Sequence, residues 1–228
     1  MYDYFSPIER ESTDLIDAID NDPLLGRVIR GDATRDEYVR FLVATYHYVR
    51  WSGPLLAETA QGLRRRGGYA WLVETVDDKT REEAPHDRWA LSDLARCGEN
   101  VELVKASDAP IAIHAYVGWS RTMAQAGSPA FLGAAYALEV MSMHRAKRAA
   151  ENLRAHGAIP HIDHAVSFLS GHGDADADHV ARLSQLLRRI DDAADQAAVR
   201  LSAAVLGALY PRFFDARPAS SSRLRSAA

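Results

Sequence analysis

The sequence predicts a single all-α domain, a bundle of about seven helices, on three observations. Segments with helical start and stop signals follow one another along nearly the whole chain. Runs of alternating Val, Ile and Thr between turn signals, which would indicate strands, are absent from the sequence. The 228 residues suffice for one sizeable core, with no internal repeat or evident linker. We therefore expect one helical domain over residues 1–215, followed by a disordered Ser/Arg/Ala tail at 216–228.

Helix start and stop signals bound each of the predicted helical regions. These regions cover about residues 6–21, 34–66, 69–97, 110–125, 129–156, 160–183 and 192–214. Thr34 caps the second region, because a hydroxyl accepts hydrogen bonds from the free amides of a first turn. Pro54 and Pro85 predict a kink in the second region and a break in the third, since proline lacks an amide proton and clashes with the preceding turn. Gly171 and Gly173 predict a break in the sixth region.

Composition excludes several classes of protein. The net charge of −4 argues against a nucleic-acid partner, which normally leaves a basic face. Cys97, the single cysteine, excludes an internal disulfide and a thiolate metal cluster. The N-terminus lacks the pattern of a secretory signal, and no apolar run reaches the ~18 residues of a membrane span. We expect a cytoplasmic protein without a membrane partner.

One short stretch, residues 168–180, carries a possible ligand set. In a helix that advances about 100° per residue, His172, Asp176 and His179 lie within about 60° of one another, whereas Asp174 and Asp178 point elsewhere. Two imidazoles and a carboxylate on one stripe suit iron, manganese or zinc. The alternative is an ordinary polar helix start, where aspartates are favoured by the helix dipole.

Carboxylates on two other helices extend this set. Glu139 lies in an almost wholly apolar helix, where a carboxylate is costly unless it is paired or metal-bound. Its alternative partner would be an arginine such as Arg121. Glu83 and His86, at i and i+3, reach a common point, as do Glu82 and His86 at i and i+4. Glu83 is preferred and Glu82 is the reserve, although both would also suit a solvated acidic face.

Together these side chains make three carboxylates and three imidazoles. The candidate metal ligands are Glu83, His86, Glu139, His172, Asp176 and His179. Three nitrogen or oxygen ligands per metal with open positions suit two oxygen-activating iron ions. A structural zinc site would close at four ligands.

The pattern Glu83-x-x-His86, Glu139 and His172-x3-Asp176-x2-His179 resembles the heme-oxygenase-like diiron oxidases and oxygenases, and the resemblance extends from residue 45 to residue 179. It implies a seven-helix bundle that binds two Fe ions and activates dioxygen with electrons from an external donor. It also implies cleavage of C–H, C–C or C–N bonds, or oxygenation of nitrogen, in a small amino- or fatty-acid-like substrate. Some members place the first carboxylate further upstream, so Glu58 also stays open.

Three other functions are considered. A heme oxygenase would need a proximal histidine on the first helix, and residues 6–21 contain none. A thiaminase-like or cofactor-free enzyme of the same fold would rely on a nucleophilic cysteine and a carboxylate, but Cys97 has no evident base beside it. A non-catalytic iron-binding helical module is the non-enzyme alternative.

We expect residues one or two helical turns from the candidate ligands to line the substrate pocket. The candidate substrate-binding residues are His47, Trp51, Tyr116, Tyr136 and Arg121. Aromatic walls with a few polar tips are typical of small-molecule sites, and Arg121 would hold a substrate carboxylate. The same aromatics also suit plain core. We expect a small carboxylate-bearing, amino-acid-derived substrate, and a homodimer is one assembly that the sequence allows.

Overall fold

A computed structural model describes residues 3–215 of the chain, except for the side chains of residues 173–178. Every regular element in this range is a helix, which confirms the all-α class. The α-helices are α1 (Ser6–Asn21), α2 (Leu25–Arg30), α3 (Arg35–Val49), α4 (Ser52–Arg66), α5 (Ala70–Glu83), α6 (His86–Arg96), α7 (Val101–Ala106), α8 (Ile111–Gln125), α9 (Phe131–His156), α10 (Ser167–Leu187) and α11 (Ala193–Leu209). Short 3-10 helices cover Ile162–His164 and Pro211–Phe214. None of the described helices is long and apolar enough to cross a membrane.

The prediction of about seven helices was wrong, because longer regions divide and short connecting helices form. The region from Thr34 separates into α3 and α4 rather than bending as one helix. Pro54 then lies in the first turn of α4, where its missing amide proton costs little. Thr34 does form the predicted cap, with a reciprocal hydrogen bond from its own amide to Glu37. Pro85 produces the predicted break, between α5 and α6.

The predicted break at Gly171 and Gly173 was also wrong, since α10 continues through both. A Cβ atom built on Gly171 would lie 2.7 Å from Cζ3 of Trp89. The glycine therefore makes room for an indole from α6 and does not end the helix. The chain there has an unbroken helix with a close helix–helix contact.

The core is built around α9, which contacts α1, α2, α10 and α11. Gly133 lets α9 approach α11 closely, because a Cβ at this position would lie 2.0 Å from the carbonyl oxygen of Val199. Across the bundle, the buried Tyr38 hydroxyl of α3 donates to the carbonyl of Ala165 just before α10, at 2.7 Å. These contacts join α9 to α11 and α3 to the start of α10, and α10 packs along α9. Side chains of α5, α9 and α10 meet at one end of a cavity between the helices.

Candidate metal centre

Three side chains from three helices meet at the candidate centre. Glu83, His86 and His172 each offer a ligand atom, and these atoms all lie within 4.8 Å of one another. Glu83 is the last residue of α5 and His86 the first of α6, so the break at Pro85 turns both toward the same point. Glu83 Oε2 lies 3.0 Å from His86 Nδ1, and the imidazole centroids of His86 and His172 are 4.6 Å apart.

His172 is oriented for binding a metal through one nitrogen. Its Nδ1 donates a hydrogen bond to the carbonyl of Phe168 at 2.9 Å, because a carbonyl oxygen only accepts. The lone pair of the neutral ring therefore lies on Nε2. Burial and the nearby His86 lower the pKa of His172, which keeps the imidazole neutral and available as a ligand.

Glu83 remains ionised although it is buried. Burial alone would raise its pKa, but the hydrogen bond from His86 and the charge of Lys79 lower the pKa of Glu83 to about 2. A charged carboxylate and a neutral imidazole are the forms that bind a divalent metal.

A second group lies beside the first and includes a lysine. His179 Nδ1 is 3.7 Å from Glu139 Oε2. Lys79 makes an ion pair with Glu139 and lies 3.4 Å from Glu83 Oε1, so its ammonium bridges the two carboxylates. Burial opposes ionisation of Glu139, but His179 and Lys79 together lower the pKa of this carboxyl, while the nearby Glu139 carboxylate raises the pKa of His179.

The arginine considered as a partner for the buried Glu139 lies elsewhere: Arg121 Nη2 is 3.0 Å from Glu58 Oε1, in a groove between α4 and α8. Sequence analysis missed Lys79 as the partner. Its only signal was its position four residues before Glu83, which puts both on one face of α5.

The three carboxylates left open by the sequence take different positions. Glu83 joins the cluster. Glu82 lies at its edge, 3.8 Å from His179 Nε2, with 42% of its side chain exposed. Glu58 is tied to Arg121. The side chain of Asp176 lies outside the described residues, so its role as a ligand stays a prediction.

Trp89 supports the imidazoles from behind. Its ring stacks on His86 with centroids 4.4 Å apart and planes 26° from parallel, and it meets His172 edge-on at 5.7 Å. Gly171 provides the space that the indole fills. The position of His86 therefore depends on α10 as well as on its own helix.

An apolar cavity ends at these side chains. The centres of water-sized molecules can occupy about 90 Å³ of it, room for a small molecule. Its walls include Phe41, Tyr48, Leu138, Met141 and Phe168, and its polar end is formed by Lys79, Glu83, Glu139 and His172.

None of the five residues predicted to bind substrate is among the lining residues of this cavity, and all five are described. His47 hydrogen-bonds to Ser107 at 2.9 Å. Trp51 stacks under the guanidinium of Arg121 at 4.6 Å. Tyr116 and Tyr136 are buried in the core, against Phe213 and Phe5 respectively. Aromatic spacing alone did not show which face of each helix meets the cavity.

Residues 39–210 match the sequence model of a family described as iron-containing redox enzymes. No curated protein gives a significant match. Among solved structures, a domain of unknown function with a heme oxygenase-like fold from Shewanella denitrificans is 22% identical, with a TM-score of 0.79. That match covers 94% of this chain and 91% of the other.

Two TenA homologues are similar as well. The one from Pseudomonas syringae pv. tomato is 14% identical with a TM-score of 0.64, over 92% of this chain and 89% of that one. The one from Pyrococcus furiosus is 13% identical with a TM-score of 0.68, over 93% and 98%. At these identities the structures show the fold, which is heme-oxygenase-like.

Proposed function

Because this chain belongs to the family of iron-containing redox enzymes, we propose that it is a non-heme diiron oxidase or oxygenase that activates dioxygen to oxidise a small molecule. The observation that carries the proposal is the convergence of Glu83, His86 and His172 within 4.8 Å beside the polar end of an apolar cavity. Glu139 and His179 beside them supply further donors. Carboxylates and imidazoles with open positions are the ligands of iron sites that react with dioxygen.

The residues present fit iron on their chemistry. Glu83 is charged, His172 is neutral with its Nε2 free of the backbone bond, and both are largely shielded from water. The pair of carboxylates already holds one cation, the ammonium of Lys79. Bound iron would supply the reduction of dioxygen, with two electrons from an external donor. Glu83, His86 and His172 would hold one ion, and Glu139, His179 and Asp176 the other.

The side chains around the ligands would act by positioning and by excluding water. The carbonyl of Phe168 holds the proton on Nδ1 of His172, and Trp89 keeps the ring of His86 facing the cluster. The apolar walls would keep bulk water from the reacting end of the cavity.

The cavity supports a small substrate with a carboxylate, and we propose an amino-acid-derived one. Its small volume favours a small ligand, and Lys79 is the only cationic side chain among its described lining residues. An ammonium beside an apolar wall would orient a carboxylate at one end and leave the carbon chain against Leu138 and Phe168. Arg121, the cation predicted for this role, does not line the cavity and pairs with Glu58 in a separate groove.

The thiaminase-like alternative receives no support from the one cysteine. Cys97 is buried at the end of α6, and burial raises the pKa of its thiol to about 11. A thiol with such a pKa is almost entirely protonated at neutral pH and is a poor nucleophile.

Anaerobic titration with Fe(II), followed by dioxygen uptake, tests the proposal. We expect binding to approach two equivalents per chain, followed by dioxygen consumption that depends on substrate and donor. Saturation at one equivalent would overturn the diiron assignment, and tight preference for one Zn(II) would overturn the redox function. Asp176→Ala should lose about one iron, whereas Asp174→Ala and Asp178→Ala should not, since their side chains are predicted to point off the ligand stripe.

A further inference from the structure

The ammonium of Lys79 lies between the carboxylates of Glu83 and Glu139. Its Nζ contacts Glu139 directly and lies 3.4 Å from Glu83 Oε1, and it is shielded from solvent. Each of these carboxylates turns its second oxygen to a histidine: Glu83 Oε2 is 3.0 Å from His86 Nδ1, and Glu139 Oε2 is 3.7 Å from His179 Nδ1. The ammonium therefore sits between two groups of prospective ligands and balances part of their charge.

We propose, on the basis of the diiron function above, that Lys79 holds this cation position in the metal-free protein and that the second metal ion binds in competition with it. The two metal positions differ in how they are affected. Glu83 can offer Oε2 to a first ion beside His86 and His172 while Oε1 keeps its contact with Lys79. A second ion at Glu139 would have to displace the ammonium of Lys79, which already neutralises this carboxylate.

The cavity gives Lys79 somewhere to move. Lys79 is itself a lining residue, and its four-carbon stem lies next to the open volume of about 90 Å³. Rotation into this space would separate the ammonium from Glu139 without displacing α5. The same rotation would leave the ammonium facing the cavity, where a substrate carboxylate would find it. The same rotation of Lys79 would therefore free Glu139 for the second ion and place the ammonium where it can bind the substrate carboxylate.

A purely structural role for Lys79 predicts a different outcome. If Lys79 only neutralises the buried Glu139, its removal destabilises the fold and weakens metal binding along with it. If it competes with the metal, its removal destabilises the metal-free protein but strengthens binding of the second ion. The direction of the change in affinity therefore separates the two roles.

The experiment is equilibrium dialysis against Fe(II) under anaerobic conditions, on the full chain, with bound metal quantified for each variant. Lys79→Met removes the charge at similar length, and Lys79→Gln does so while keeping a hydrogen-bond donor for Glu139. Lys105→Met is the matched control, since Lys105 pairs with Glu102 at 2.8 Å on the surface of α7. Thermal unfolding of each protein, with and without metal, is the second measurement.

In the unaltered chain and in Lys105→Met we expect one tight and one weaker equivalent. In both Lys79 variants the second equivalent should bind at least about tenfold more tightly, the order by which one adjacent charge shifts an ionic equilibrium. The first should change by less than about threefold. The midpoint of thermal unfolding should fall in the metal-free Lys79 variants and recover on saturation with Fe(II).

Two results would overturn the inference, and they are distinguishable. An unchanged or weaker second equivalent in both Lys79 variants, with two equivalents bound by the unaltered chain, refutes the competition alone. Failure of every protein to bind a second equivalent refutes the diiron proposal together with it. If Lys79→Met does not fold, Lys79→Gln decides the question.

Discussion

A buried aspartate on α6 caps a helix that it does not belong to, and removing it is the sharpest test of how the candidate centre is held. Asp93 is fully buried, and its Oδ1 and Oδ2 accept the backbone amides of Ser167 at 3.0 Å and Phe168 at 2.9 Å. The hydroxyl of Ser167 also donates to it. These amides open α10, which carries His172, while α6 begins with His86. Asp93 therefore ties together the two helices that supply the imidazoles.

The expected cost of Asp93→Ala follows from these bonds. The variant leaves two buried amides and a hydroxyl without their acceptor, at about 1–3 kcal/mol for each donor left unsatisfied. Burial raises the pKa of Asp93, so the charged form also carries a desolvation cost that the variant recovers. We expect a net loss of about 2–4 kcal/mol in the free energy of unfolding. For comparison, loss of an exposed cap costs about 1 kcal/mol.

Asp192→Ala is the matched control. Asp192 accepts two amides at the start of α11, each at 2.9 Å, but from an exposed position within its own turn. Urea unfolding of the metal-free variants, followed by circular dichroism, measures both losses. Fe(II) affinity should fall in Asp93→Ala, because α10 and α6 are no longer tied, and stay unchanged in Asp192→Ala. Equal losses of stability, or unchanged Fe(II) affinity in Asp93→Ala, would refute this account.

Two further predictions concern Gly171 and His47. Gly171→Ala should displace Trp89, lower the free energy of unfolding by about 1–3 kcal/mol and weaken Fe(II) binding. The control is the exposed Gly118→Ala in α8, whose new Cβ would have no atom within 4 Å. This control should raise the free energy of unfolding by up to about 1 kcal/mol. Urea unfolding and metal dialysis measure both, and a stabilised Gly171→Ala would contradict the packing argument. Burial, aided by the charge of Arg50, lowers the pKa of His47 to about 4. In the unfolded chain this pKa is near 6.5, so the neutral imidazole favours the folded state above about pH 6.5. This contribution, about 3 kcal/mol, should be lost as the pH falls from 6.5 toward 4, and His47→Gln should lose less stability over that range. Urea unfolding at pH 7 and 4.5 measures it, and identical pH dependence in both proteins would rule it out.

Much of the fold was predictable because its signals are local. The capping box of Thr34 and Glu37 depends on residues three apart, and Pro85 ends a helix by its own ring and missing amide proton. The apolar surroundings of Glu139 predicted a buried carboxylate that needs a partner, and it has one. Such features are fixed by neighbours along the chain.

Contacts between distant helices decided which predictions from local sequence were correct. Gly171 carries the sequence signature of a helix break, yet it lies inside α10, because an indole from another helix fills the space of its missing side chain. The sequence preferred Glu83 but left Glu58 open; the structure separates Glu58 from the cluster, because Arg121, 63 residues away along the chain, pairs with it.

By itself, therefore, the sequence determined the all-α class, the break at Pro85 and the residue types of the candidate metal centre. Only the tertiary structure decided that Lys79 lies between the carboxylates and that the cavity is walled by Phe41 and Phe168 rather than by Tyr116 or Tyr136. The physical reason is that helical periodicity fixes which residues share a face, whereas the partner that a face meets depends on contacts between helices distant in sequence.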